Sequence, residues 1–400
     1  MVLPTDRLPR VVAREIRGWW ADHRIVILRL TTILMAALAL LKLGSEFYRL
    51  VLDPGPKGAI DLKLLHRVII QWFAGKPVYD ELGRGYHPPA AYAVLWPWMG
   101  WLTLSQTRWL WAASSVAALA VLACLVVEES GAAGLTERAL AALMPLSLNA
   151  TGVTLGNGQL TIHLVTLLLL AVWLQRRQPH APGGWPVLST VVAFTLVKPT
   201  VSLPFMWLIV LGPGGLRTAL AAAVAYIGLT AFSTSFQGSG MVSLLGKWLA
   251  QGSALAVQGG YANLHIWAGA LGFEQWLLPL SLVVLTALGA WVYAFRRRDP
   301  WLLLGVTALV ARFWTYHRLY DDMLVLFPMV TLFQLAKRGP RDDGRDVAAG
   351  TLLGAVVLAM MIPARLRFAA WPWHLIFTAG HALIWAIVLL FLLCQTARGE

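Results

Sequence analysis

Apolar residues run through this chain in long blocks, and polar residues are confined to the gaps between them. The blocks fall at 25–43, 88–104, 109–127, 137–155, 158–174, 187–211 and 216–236, then at 276–295, 301–316, 321–336, 347–363 and 370–394. Most approach the ~20 residues that cross a ~30 Å hydrocarbon layer as an α-helix. Helices satisfy their own backbone in lipid without closing a barrel. The pattern predicts an all-α, polytopic membrane protein of about twelve transmembrane helices, forming one integral membrane domain over 1–400. Pro97, Pro145, Pro199 and Pro204 interrupt several blocks. The first block is too long for a signal-peptide core and lacks a clean cleavage site, so it is expected to remain as the first span.

Two gaps are long, 45–87 and 237–275. In the first, a helical winding at ~100° per residue lines Asp61 up with Leu65, Val68 and Trp72. Lys63, His66, Arg67 and Gln71 gather on the opposite side. A carboxylate on an apolar face is costly without a partner or a task, unless it merely caps the helix start. The second gap holds another amphipathic piece at 241–250 and the run Tyr261-Ala262-Asn263-Leu264-His265.

Composition fits this picture: 58% of residues are hydrophobic, 13% are charged, and mean hydropathy is +0.67. The net charge of +13 resides largely in Arg7, Arg10, Arg14, Arg17 and Arg24, in Arg296, Arg297 and Arg298, and between 337 and 345. Basic segments beside spans mark the cytoplasmic side. The expected protein is therefore multi-pass in the plasma membrane, with 1–24 as a basic cytoplasmic segment. The gaps at 45–87 and 237–275 become outer loops, together with the turn at 317–322. Arg176 and Arg177 fall on the wrong side of a simple count, which a re-entrant helix between 88 and 160 would repair. Membrane lipids are expected partners, and no nucleic-acid module is present. Cys124 and Cys394 lie in apolar runs, where neither a disulfide framework nor a metal site is expected. No HExxH, GxSxG, P-loop or GxGxxG arrangement occurs in a suitable context.

Polar residues inside apolar blocks carry the chemical signal. Lys198 is deep in its block, where an ammonium needs water or an anion, and it reads as a phosphate-binding cation beside Pro199 and Pro204. Gly156-Asn157-Gly158-Gln159 is a turn at a span junction, with His163 following; capping explains it as well as a site does. At 312–322 two arginines (Arg312, Arg318), His317, two tyrosines (Tyr316, Tyr320) and the Asp321-Asp322 pair crowd between apolar runs. This cluster suits a sugar, whose hydroxyls need donors and acceptors and whose C–H face packs on aromatic rings. A structural His–Asp salt bridge is the other reading. The two aspartates have no nucleotide-binding fold around them, and no metal is read from them.

The motifs Asp61-Leu62, Gly75-Lys76-Pro77-Val78-Tyr79, Tyr86-His87-Pro88-Pro89, Gly158-Gln159, Lys198-Pro199 and the cluster at 317–322 resemble, in order and spacing, glycosyltransferase family 87 of the C-type membrane superfamily. The resemblance implies a GT-C-like fold and an inverting, metal-independent transfer without other cofactors. The donor would be a polyprenyl-phosphate sugar, carrying mannose or another hexose, and the acceptor a lipid or glycan at the outer face. Asp61 matches the catalytic acidic residue of the first outer loop. Lys198, Arg312 and Arg318 would hold the donor phosphate. Tyr79, Tyr86, His87, Gln159, His163, Asn263, His317, Tyr320, Asp321 and Asp322 would contact substrate. The chain departs from relatives at Lys63-Leu64 and at His87, which interrupts the usual Tyr-Pro-Pro. Hydrolysis would need a second carboxylate, for which Glu81 is the candidate. A transporter or lipid flippase is the alternative reading of Lys198 and the proline-broken helices, although no internal repeat supports it.

Overall fold

The computed structural model describes residues 8–80, 85–177, 184–258, 261–338 and 344–398, and these hold helices and turns without a strand. Helix α1 (Leu8–Val51) has 44 residues. At 1.5 Å per residue it is roughly 66 Å long, more than twice the hydrocarbon thickness. No proline follows Pro9 to stop it, so the basic residues from Arg10 to Arg24 belong to its first turns and do not form a separate segment. At its far end it runs past residue 45, shortening the first loop. That loop carries α2 (Ile60–Phe73) and leads into α3 (Pro89–Met99) and α4 (Leu104–Glu129).

The chain continues through α5 (Gly134–Ser147), α6 (Asn149–Asn157), α7 (Thr161–Arg177), α8 (Gly184–Thr195), α9 (Pro199–Val210) and α10 (Gly215–Thr234). The second long gap contains α11 (Met241–Gln258) and the short α12 (Leu264–Ala270). Then come α13 (Leu277–Phe295), α14 (Pro300–Trp314), α15 (Leu326–Lys337), α16 (Arg345–Met361) and α17 (Trp373–Arg398). Among the described residues, six stretches are long and apolar enough to cross a membrane, and the α5–α6 pair, bent by 47°, makes a seventh. Several of the other apolar blocks form helices too short for that standard, such as α8 and α9 with 12 residues each.

Side-chain pairs sort the helix ends into two groups. Arg176 and Arg177, ending α7, meet Glu129 and Glu128 at 2.6 and 2.7 Å. Lys337 of α15 reaches Glu137 at 2.5 Å, Arg338 pairs with Asp299, and Arg17 of α1 lies 2.9 Å from Asp346. The start of α1 and the ends of α4, α7, α13 and α15 thus gather at one basic end. At the other end, Arg108 near the start of α4 donates to the carbonyls of Leu50, Arg49 and Asp53. Asn157, closing α6, accepts from Arg49 at 2.8 Å.

Two blocks run differently from a simple count. Helix α3 has 11 residues and does not reach the basic end. It starts beside His87, and Leu102 just beyond it faces His66 of α2 at 3.0 Å. The 187–211 block is two antiparallel pieces. Helix α8 rises from the basic end, the chain breaks at 196–198, and Pro199, which cannot continue a helix ladder, opens α9. Near the break Trp314 donates to Thr200, and at the far end of α9 Gln175 donates 2.7 Å to Ile209. Arg176 and Arg177, at the end of α7, therefore lie with the other basic clusters.

Candidate active site

The first loop is held by a glycine turn. The Ala59 N–H donates 3.2 Å to the Gly156 carbonyl just before α2. Gly158 has φ +71°, and a Cβ there would stand 2.5 Å from Leu62 Cβ. Only glycine allows both this left-handed turn and so close an approach of α2. The residue preceding α2 is Ala59, whose side chain cannot cap, so Asp61 is not the N-cap. Leu62, Leu65, Val68, Ile69 and Trp72 are buried, and Trp72 donates 2.9 Å to Ser233 at the end of α10. This packing turns Asp61 toward a cavity.

The cavity, about 320 Å³, lies among α2, the 86–88 segment, the 196–198 break, α11, α13 and the 314–320 turn. Asp61, Tyr86, His87, Gln159, Lys198, Arg318 and Tyr320 line it. Among the described residues Asp61 makes no hydrogen bond or ion pair, and its charge is felt by Arg318 and Tyr320 across the space. Beyond this polar end the walls are Leu203 of α9, Leu277, Leu278, Leu282 and Leu285 of α13, and Trp248 and Leu249 of α11. Leu278 and Leu282 are each 54% exposed, so the apolar end opens on the outer surface of the bundle. Helix α11 closes over the first loop, where Trp248 donates 3.4 Å to Tyr86 and Gln251 donates to Tyr79.

Asp321 forms a hub beside this space. Its carboxylate meets Lys198 Nζ at 2.5 Å, Thr161 Oγ1 at 3.2 Å, the Arg318 N–H at 3.1 Å and His317 Nδ1 at 3.2 Å. Lys198 also lies 4.6 Å over the Tyr320 ring, a cation–π contact. The lysine read from sequence as a lone cation is thus already neutralised, although it still lines the cavity. Arg318 keeps its guanidinium toward the cavity, where it donates to Tyr316 Oη, and among the described residues it pairs with no carboxylate.

Other expected contacts are turned away from the cavity. Arg312 is fully buried, 2.5 Å from Asp322, bonded to the Tyr261 carbonyl and stacked between Tyr261 and Trp385. Asp322 is consumed by Arg312 and Tyr261. The adjacent aspartates therefore diverge, and His317 is fully buried with Nδ1 3.2 Å from Asp321, away from the cavity. His163 faces Ser114 at 3.0 Å. Asn263 caps α12 through the Ile266 N–H. Tyr79 donates 2.7 Å to the His87 carbonyl, holding the turn that aims His87 inward. Burial, and then the positive charge of Lys198, push the His87 imidazole down to about 4. Glu81 lies outside the described residues.

The structure adds residues that sequence reading passed over. His265 of α12 lines the cavity with Nε2 2.6 Å from Ser281 Oγ and Nδ1 3.3 Å from Thr315 Oγ1. The polar run at 261–265 was visible in sequence, but nothing pointed to a serine in α13. Among the described residues no three His, Cys, Asp or Glu side chains gather as metal ligands do.

Neither a curated protein nor a solved structure matches the chain. A family model, described as glycosyltransferase family 87, matches residues 86–328. The matched stretch is more than half of the chain and contains the whole cavity lining except the α2 face, Asp61 included, which precedes it. Built of apolar helices around a cavity with a carboxylate, two cations and several tyrosines, the chain belongs to glycosyltransferase family 87 and is a membrane glycosyltransferase.

Proposed function

We propose that the protein transfers a hexose from a polyprenyl-phosphate donor to a hydroxyl of a lipid or glycan acceptor on the outer face of the membrane, with inversion. The observation that carries this reading is the shape of the cavity. Its polar end brings Asp61 opposite Arg318, Lys198 and Tyr320, and its leucine-walled end opens on the lipid-facing surface between α9, α11 and α13. A sugar phosphate with a long isoprenoid tail has this polarity. A nucleotide sugar would leave the apolar trough unfilled.

In the proposed mechanism the donor phosphate rests against Arg318, with the Lys198–Asp321 pair beside it. Arg312 is withdrawn from that role because Asp322 and two aromatic rings already enclose it. Asp61 accepts the proton of the acceptor hydroxyl. The new O–C bond forms at the anomeric carbon as the bond to the phosphate oxygen breaks on the opposite face. The departing electron pair stays on the phosphate, where fixed cations stabilise it.

The gathering of basic clusters at one end supports a cytoplasmic position for that end. Exposed Trp96, Trp98, Trp101 and Trp109 at the cavity end suit an interfacial belt. On this reading the helices make about twelve passes, with α5–α6 as one pass, α8 and α9 as two, and α3 as none.

The test is transfer by purified protein in nanodiscs, offered radiolabelled polyprenyl-phosphate hexoses and, separately, nucleotide hexoses. Label should move only from the polyprenyl donors. Transfer from nucleotide hexoses alone would overturn the proposal.

A further inference from the structure

Helix α2 has a second working face. Opposite Asp61, the side chains of Lys63, His66, Arg67 and Gln71 line a groove of about 350 Å³ floored by Ile70 and Leu104. The sequence spacing sets Lys63, Arg67 and Gln71 one turn apart on a single stripe. Among the described residues neither Lys63 nor Arg67 forms an ion pair. Lys63 Nζ uses one donor on the Gly55 carbonyl, at 2.7 Å, and keeps others. His66 is fixed by the Leu102 carbonyl at 3.0 Å, and Gln71 Oε1 is buried without a hydrogen-bond partner.

The surroundings identify the chemistry. Trp98, Trp101 and Trp109, 45%, 68% and 53% exposed, belong to α3, the link after it and α4, the stretch of chain that also supplies Leu104 and the Leu102 carbonyl, and exposed tryptophans mark the level where aromatic rings meet headgroups. Ile70, 41% exposed, and Leu104 give it an apolar floor. A site with two uncompensated cations, an orphan amide oxygen and an apolar floor in an aromatic belt matches one ligand class. We propose that this groove binds the headgroup of an anionic phospholipid. The phosphate lies between Lys63 and Arg67, a headgroup hydroxyl donates to Gln71, and the first acyl carbons rest on Ile70 and Leu104. Because α2 carries Asp61 on its other face, the bound lipid sets the depth and tilt of that helix.

Phosphatidylglycerol is the probe, since it supplies both a phosphate and donating hydroxyls. The full chain is reconstituted in phosphatidylcholine with a minor share of phosphatidylglycerol, released gently, and its retained lipids are counted by native mass spectrometry. Wild type should retain phosphatidylglycerol in preference to phosphatidylcholine. Arg67→Gln should lower that retention about fivefold, the ~1 kcal/mol expected per basic residue at an anionic surface. Lys63→Gln/Arg67→Gln should lower it further, while Arg297→Gln at the opposite end should leave it nearly unchanged. Among the described residues Arg67 makes no hydrogen bond or ion pair, so its variant stays informative if the double variant is poorly folded. Equal retention in wild type and Arg67→Gln would overturn the proposal. So would loss of the lipid to added inorganic phosphate, which would mark a soluble-anion site.

Discussion

Lys198→Met should destabilise the donor-free protein. Lys198 and Asp321 are 2.5 Å apart, and their side chains are only 15% and 2% exposed. Removing one partner of a buried pair costs about 3–5 kcal/mol, because the other charge stays behind in a poor solvent. Asp321 would keep Thr161, His317 and the Arg318 N–H within 3.2 Å. That places the expected loss at the lower end, about 3 kcal/mol. Adding Asp321→Asn removes the stranded charge, so the double variant should lose about 2 kcal/mol less stability than the sum of the two single losses, a coupling within the range for contacting residues. The assay is reversible unfolding of all four proteins in mixed micelles, followed by tryptophan fluorescence without ligand. If Lys198 were a lone cation awaiting a phosphate, methionine would leave stability unchanged or raise it. Either result, or an additive cycle, refutes the Asp321 hub.

Other outcomes follow from the same geometry. Gly158→Ala combines φ +71° with a Cβ 2.5 Å from Leu62, so it should cost about 2 kcal/mol or more and lower turnover by shifting α2. Gly246→Ala, in open space within α11, should be neutral or stabilising in the same unfolding assay. Burial and charge hold His87 and His265 down to about 4, so the folded protein resists protons that the unfolded chain takes up near pH 6.5. Stability should therefore fall as pH drops from about 6.5 towards 4, and a melting series on His87→Gln should show a shallower fall. Gly238→Cys should label with an impermeant thiol reagent on intact cells and Arg297→Cys should not; the reverse pattern would invert the orientation.

The helical membrane architecture was legible because apolar blocks state what lipid will accept. They do not state direction. The 187–211 block reads as one pass until Pro199 is seen to open a helix that turns back, and 88–104 reads as a pass until α3 stops after 11 residues. On the proposed topology the two differences offset each other in number, and α3 takes the place of the re-entrant helix expected between 88 and 160 to bring Arg176 and Arg177 to the basic end. At the site, Asp61, His87, Gln159, Lys198, Arg318 and Tyr320 stood out as polar residues among apolar ones, and the cavity collects them. Arg312, His163 and Asn263 stood out equally, but nearby sequence does not reveal that Tyr261 and Trp385 enclose Arg312 or that Ser114 meets His163, and for Asn263 an N-cap on the Ile266 N–H competes locally with a site. Lys198 shows the same limit most sharply, since its carboxylate lies 123 positions away. Ser281 carried no signal, because a serine in an apolar helix commonly satisfies itself on its own backbone.

Asp61→Asn tests the central claim most directly. The side chain lines the cavity and among the described residues bonds to nothing, so the amide should leave folding intact while losing the ability to take a proton. The measurement is a paired one in nanodiscs: retention of a radiolabelled polyprenyl-phosphate hexose, and its transfer to acceptor in a single turnover. The account predicts donor retention close to wild type with transfer reduced by a factor of 10² or more. Transfer at the wild-type rate from the Asp61→Asn protein would contradict it.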